Sequence, residues 1–261
     1  MVRMRGLDLV AFAIFASIML GSASAYMNVT YINTTIILNR NNSAHVIEVF
    51  SLYISNSSIS QYNTSRQAIN LTLSGWQKVL NTNLLVEHVL SPVSSIYAFD
   101  FLPGPVQTTA NGGIAQIVIS YNVRNITSEK VIAPRKFLYN FNNTFFNFVH
   151  TPYGEALPQN ARLNIIVPAN AKLASVYPLP DYPYINFVSN STNSTMFSWY
   201  RGEPLAKFTF SYIVTESLGD EVAGYFGRIY GMYSAQLYMA AIIIIVAIGA
   251  YLYIKVVKSR A

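Results

Sequence analysis

The sequence predicts a mainly β chain: two tandem antiparallel β-sandwich-like domains with one inserted helix, followed by a long juxtamembrane and transmembrane helix. Three observations carry that expectation. From Tyr26 onward, short β-branched and aromatic runs are broken by turn residues at intervals of roughly ten residues. One interruption, Ile69, Leu73, Trp76 and Leu80, has the spacing of one helix face. No charge lies between Arg228 and Lys255, and Ala240 to Ala250 is entirely aliphatic or glycine.

The elements follow in chain order. Residues 1–25 read as a signal peptide, with Arg3 and Arg5 ahead of an apolar run from Leu9 to Leu20 and the small residues Ala23, Ser24 and Ala25 at a cleavage site. That run, as helix, covers only about 18 Å, short of a bilayer core. An uncleaved anchor is the alternative. Residues 26–128 form the first β domain, with strands expected at Val29–Leu38, His45–Ile54, Leu84–Leu90, Ser95–Phe101 and Ala115–Val123. Its helix falls near 65–80, with Asn63, Thr64 or Ser65 available to cap it.

Residues 129–216 form the second β domain. Lys136–Phe141 alternates, with Phe137, Tyr139 and Phe141 on one face. Further strands are expected at Arg162–Val167, Lys172–Tyr177, Tyr184–Val188, Thr195–Tyr200 and Lys207–Val214, with proline in most of the gaps. Ile117–Val123 and Phe208–Val214 share the pattern x-x-x-Ser-Tyr-x-Val, which supports a division near Ser128.

Residues 217–233 read as a juxtamembrane helix. Gly219, Ala223, Gly227, Gly231 and Ala235 recur every fourth residue and make one small-residue stripe, the pattern that lets helices approach closely. A glycine-tolerant linker is the competing reading. Residues 234–254 are long enough to cross a bilayer, with tyrosines at both boundaries. Lys255, Lys258 and Arg260 lie in a tail, 255–261, that the positive-inside rule keeps cytoplasmic. The predicted location is the cell membrane, single-pass, with the N-terminal region outside.

Composition narrows the function. The formal charge is +6, but four of those charges sit at the two ends. The nearly neutral middle excludes nucleic acid, which needs basic residues clustered on a domain face. The absence of cysteine excludes disulfides, thiol nucleophiles and Cys-ligated metals. Asn-X-Ser/Thr sequons begin at Asn28, Asn33, Asn41, Asn56, Asn63, Asn70, Asn125, Asn142, Asn190 and Asn193, all in the exterior segment. They predict a glycoprotein. Dense sequons, no cysteine and few carboxylates point to an archaeal surface protein, one suited to an acidic exterior.

No catalytic, cofactor-binding or metal site is expected. His45, His88 and His150 are far apart in sequence, without metal-ligand spacing. No Gly-X-Ser-X-Gly elbow or phosphate-binding glycine loop is present. Glu155 and Asp181 sit on Pro/Gly turns and would form an acid pair only if folding brought them together.

Leu163–Pro168, Lys172–Pro178, Phe197-Ser-Trp199 and Phe208–Val214, just before an apolar C-terminal helix, together resemble archaeal membrane-anchored proteins with extracytoplasmic β-sandwich domains. The order of parts is also similar to the lumenal region of ribophorin-type oligosaccharyltransferase subunits. Neither resemblance supplies catalytic residues. The functional expectation is non-enzymatic: a surface protein acting by binding or as an envelope component. Its partners would be the membrane and proteins, or further copies of itself, docked through the juxtamembrane helix. The alternatives are an accessory subunit of a membrane complex of glycosylation or secretion type, and an ectoenzyme.

Overall fold

A computed structural model describes residues 26–68, 72–90, 96–183 and 195–219, with single positions between 222 and 248. The expected signal peptide, the sequons at Asn70, Asn190 and Asn193, and the strand at 184–188 lie outside the described residues. So do Ala223, Gly227, Gly231, Ala235, the tail 255–261 and most of 234–254.

The chain is mainly β, with several sheets and few helices. In order come β1 (Met27–Leu38), β2 (Ala44–Ile54), α1 (Ile59–Gln67), α2 (Leu73–Leu80), β3 (Tyr97–Pro103), β4 (Gln107–Thr109) and β5 (Gly112–Val123). Then follow β6 (Thr127–Ala133), β7 (Lys136–Phe141), β8 (Val149–Thr151), β9 (Gly154–Ala156), β10 (Ala161–Ile166), β11 (Ala171–Tyr177), β12 (Met196–Tyr200) and β13 (Thr209–Thr215). One sheet runs β12-β10-β1-β2-β5-β3, with β4 also on β5; a second runs β11-β13-β7-β6; β8 and β9 pair alone.

The period-2 pattern of the sequence sets the inner face of the large sheet. On β2, Ala44, Val46, Glu48, Phe50, Leu52 and Ile54 are all fully buried. Opposite them lie Leu38, Ile36, Thr34 and Ile32 of β1, and Val123, Tyr121, Ile119, Ile117 and Ala115 of β5. Leu163 and Ile165 of β10 and Trp199 and Phe197 of β12 extend the same face. An aromatic cluster fills the core beside it: Phe208 lies 5.1 Å from Trp199 and 5.0 Å from Phe146, each ring edge-on.

Three expectations are corrected. The division near Ser128 does not separate two sandwiches, because β10 pairs in parallel with β1 and carries β12. Strands from both halves therefore share one sheet. Two independent sandwiches would leave the apolar β1 edge unpaired, and β10 closes it. The shared Ser-Tyr pattern falls in two different sheets, on β5 and β13. Next, the single helix near 65–80 is two helices. Asn63, Thr64 and Ser65 lie inside α1, and the side chain of Thr72 caps α2 by accepting from the Gly75 N–H at 3.2 Å. Trp76 and Leu80 are its buried residues, as the helical spacing predicts.

Last, Leu84–Leu90 is not a strand. Its amides bind side chains and a distant turn in place of a ladder: the Leu90 N–H donates to the Phe145 carbonyl, the Val89 N–H to the Tyr121 hydroxyl and the His88 N–H to Glu48.

The chain divides into two compact units, residues 1–130 with 138–214 and residues 131–137 with 215–261. Within the second, the Glu216 N–H donates to the Arg135 carbonyl at 2.9 Å. Among the described residues no helix is long and apolar enough to cross a membrane.

Candidate functional site

The most concentrated chemistry lies inside the first unit. Glu48 is the one fully buried carboxylate among the described residues. A buried carboxylate is tolerated only where hydrogen bonds replace its water. Three donors do so here. Oε1 accepts from the Tyr121 hydroxyl at 2.5 Å and from the His88 N–H at 2.8 Å. Oε2 lies 2.6 Å from His88 Nδ1. The imidazole is sandwiched, stacked on Phe148 at 5.0 Å and on Phe50 at 5.8 Å. Burial, then the charge of Glu48, holds the Tyr121 phenol far above its ordinary pKa.

An acid, an imidazole and a phenol within hydrogen-bond reach are the parts of a proton relay. Here they face the protein interior. Glu48 is 0% exposed, His88 3% and Tyr121 0%. The network instead straps residues 84–90 across the inner face of the sheet.

A second network ties the β1, β10 and β12 edges on the other face. Asn164 Nδ2 donates to Asn33 Oδ1 at 2.7 Å and Thr35 Oγ1 at 3.2 Å. Asn164 Oδ1 accepts from the Ser198 hydroxyl at 2.7 Å and from Arg162 Nε at 2.8 Å. The Arg162 guanidinium also lies over the Tyr200 ring at 4.8 Å.

The remaining sequence candidates are dispersed. His45 pairs with its cross-strand neighbour Asn122 at 2.9 Å. His150 is exposed and 3.8 Å from Glu155. Asp181 Oδ2 accepts from the Tyr200 N–H at 2.8 Å. The carboxyl that feels Asp181 is Glu203, raised by its burial and then by that charge. Glu155 is raised by burial, and His150 opposes the rise. Among the described residues no group of three His, Asp or Glu could hold a metal ion. A shallow hollow of about 460 Å³ is lined by Asn140, Asn143, Ser175 and Lys207, with aromatic walls from Phe141 and Phe208. It offers hydrogen bonds and one cation, but no carboxylate or imidazole for acid–base work.

Of the described sequons, Asn28, Asn41, Asn56, Asn125 and Asn142 are exposed, while Asn33 and Asn63 are half-buried. Gly219 is exposed at the start of the C-terminal helix. Sequence reasoning missed Glu48 and Glu203. Glu48 had a legible signal: it is the one charged residue at the in-facing parity of an otherwise apolar strand.

No known protein family matches this chain, and no curated protein does. Among solved structures, the folded domain of LppM from Mycobacterium tuberculosis, determined by NMR, is similar over 75% of this chain and 95% of its own, at 8% identity and a TM-score of 0.27. A likeness at that level bears on neither function nor topology.

Proposed function

We propose that this chain is a single-pass, glycosylated surface protein whose β-rich exterior acts by binding or as an envelope component, without catalysis. The observation that carries this reading is the C-terminal segment. Met239, Ile243, Ile244, Ile245 and Ile248 are helical and each more than half exposed. A helix that presents isoleucine in this way needs an apolar surrounding, and the uncharged stretch up to Lys255 has the length of a bilayer span. The burial of the Glu48 network gives that group a part in holding the fold, which is compatible with a binding or envelope role. Dense sequons, absent cysteine and scarce carboxylates favour an archaeal surface at low pH.

Protease treatment of intact cells tests the reading. A C-terminal tag should stay protected in an alkali-resistant membrane fragment while the β-rich region is digested. Release of the whole protein by alkaline carbonate would overturn it.

Leu218 and Val222, exposed beside Gly219 at the start of the small-residue stripe, favour a second reading, an accessory subunit docked through this helix. Gentle solubilisation that yields a stoichiometric set of multi-span partners would select it over the first.

A further inference from the structure

We propose that Asn142 and Asn41 are the glycan acceptors among the described sequons, with Asn142 the more fully occupied. The proposal rests on the exported reading above and deepens it by choosing the sites. Both residues are exposed and lie outside the strands, Asn41 in a turn and Asn142 capping the short 3-10 helix Asn143–Phe145, so their side chains reach an external transferase without opening a ladder. Both also share one local geometry. Asn142 Oδ1 accepts from the Thr144 N–H at 3.1 Å and the Thr144 hydroxyl at 2.9 Å. Asn41 Oδ1 accepts from the Ser43 N–H at 3.3 Å and the Ser43 hydroxyl at 2.6 Å. In each case the third residue of the sequon bonds back onto the acceptor amide.

The chemistry favours that arrangement. In the transfer, amide Nδ2 forms a bond to the anomeric carbon of a lipid-phosphate-linked sugar. The bond from that carbon to the phosphate oxygen breaks, the lipid phosphate leaves with the electron pair, and a base of the transferase takes the Nδ2 proton. Two donors on Oδ1 draw density from the amide and make that proton easier to remove. Thr144 is exposed whereas Ser43 is buried, which ranks Asn142 above Asn41.

The other described sequons lack this geometry. The Asn33 carbonyl and the Thr35 hydroxyl are both held by Asn164 within the sheet. Thr127 is buried and donates to Asn42, and Thr30 donates to the Ser51 carbonyl. Ser58 bonds with Ser55 in place of Asn56. Asn63 is half-buried within α1.

The two acceptor sites also neighbour each other. The Ile126 N–H donates to the Asn42 carbonyl and the Asn142 N–H to the Ile126 carbonyl, both at 2.9 Å. Sugars on Asn41 and Asn142 would therefore cluster at one end of the first unit and leave the Asn33–Asn164 face uncovered.

The test maps the full-length protein purified from the cells that make it. Glycoamidase treatment hydrolyses the side-chain amide, releasing the sugar as its glycosylamine and leaving aspartate, and peptide mass spectrometry reads the conversion. Conversion at Asn142 and Asn41, and none at Asn33, is the expected result. N142Q and N41Q should each remove one glycan mass. T144V should do the same as N142Q while T144S keeps the sugar, which separates loss of the hydroxyl from misfolding. Conversion at Asn33 or Asn63 that equals Asn142 would overturn the proposal. An unmodified Asn142 in a protein that protease still reaches from outside would overturn it too, with the exported reading intact. Protection of the whole chain from external protease would remove both.

Discussion

At the scale of single residues, Glu48 carries the largest stake. Removing one member of a buried, hydrogen-bonded charge network leaves its partners desolvated and unpaired. Glu48→Ala should destabilise the fold by about 3–5 kcal/mol in urea denaturation, a range typical of broken buried pairs. A loss under 1 kcal/mol would mean that the network does not hold residues 84–90. Thr34 is the contrasting case. It faces Glu48 across β1 and β2, is fully buried, and its hydroxyl has no partner among the described residues. Thr34→Val should therefore stabilise the protein by about 1 kcal/mol, because an unsatisfied hydroxyl is replaced by a methyl group. A lower denaturation midpoint for that variant would place a partner on the hydroxyl. Thr34 and Glu48 were both visible in the sequence as polar residues at in-facing positions. Nothing in the sequence told them apart, since whether a buried polar atom is satisfied depends on segments far away in the chain.

At the scale of elements, α1 and α2 differ in what holds them. α1 is polar and buries only Tyr62, whose hydroxyl donates to the Gly104 carbonyl at 2.9 Å. Burial pushes that phenol up to about 12. α2 buries Trp76, which packs edge-on against Tyr62 at 5.2 Å and tilted against Phe101 at 6.0 Å. The indole therefore joins both helices to β3. Trp76→Ala should cost about 3–5 kcal/mol, as large-to-small core changes do, and amide exchange should quicken in α1 and α2 before the large sheet. Uniform quickening of all three would refute that order. The amphipathic spacing made α2 legible, and Thr72 is an ordinary N-cap residue. α1 left no such trace, because a polar helix has no period to read. The strand at Lys136–Phe141 was legible to its boundaries, since alternation alone defines it.

For the molecule as a whole, the scarcity of carboxylates takes on a pH dependence. Glu155 and Glu203 both titrate above the ordinary range in the folded protein, chiefly through burial. A carboxyl raised on folding binds its proton more tightly in the folded state. Its contribution to stability is full below the unfolded value of about 4.3 and is lost as pH rises through the folded value. These two residues therefore favour the fold on acidification, and the double variant E155Q/E203Q should gain stability at pH 7 relative to pH 4. A gain that is equal at both pH values would show that the two groups do not titrate in that window.

By itself the sequence determined the β character, the parity of the in-facing residues, the amphipathic face of α2, the sequons and the long uncharged apolar stretch. Each depends on spacing over a few residues, and local sterics and solvation act at that range. Tertiary structure alone decided that β10 closes the β1 edge, so that both halves share one sheet, and that Leu84–Leu90 is a strap bound to Glu48. Those outcomes turn on which edge and which buried charge are left open after the other segments have packed. The first is settled by strands more than a hundred positions apart, the second by residues 32 to 40 positions apart.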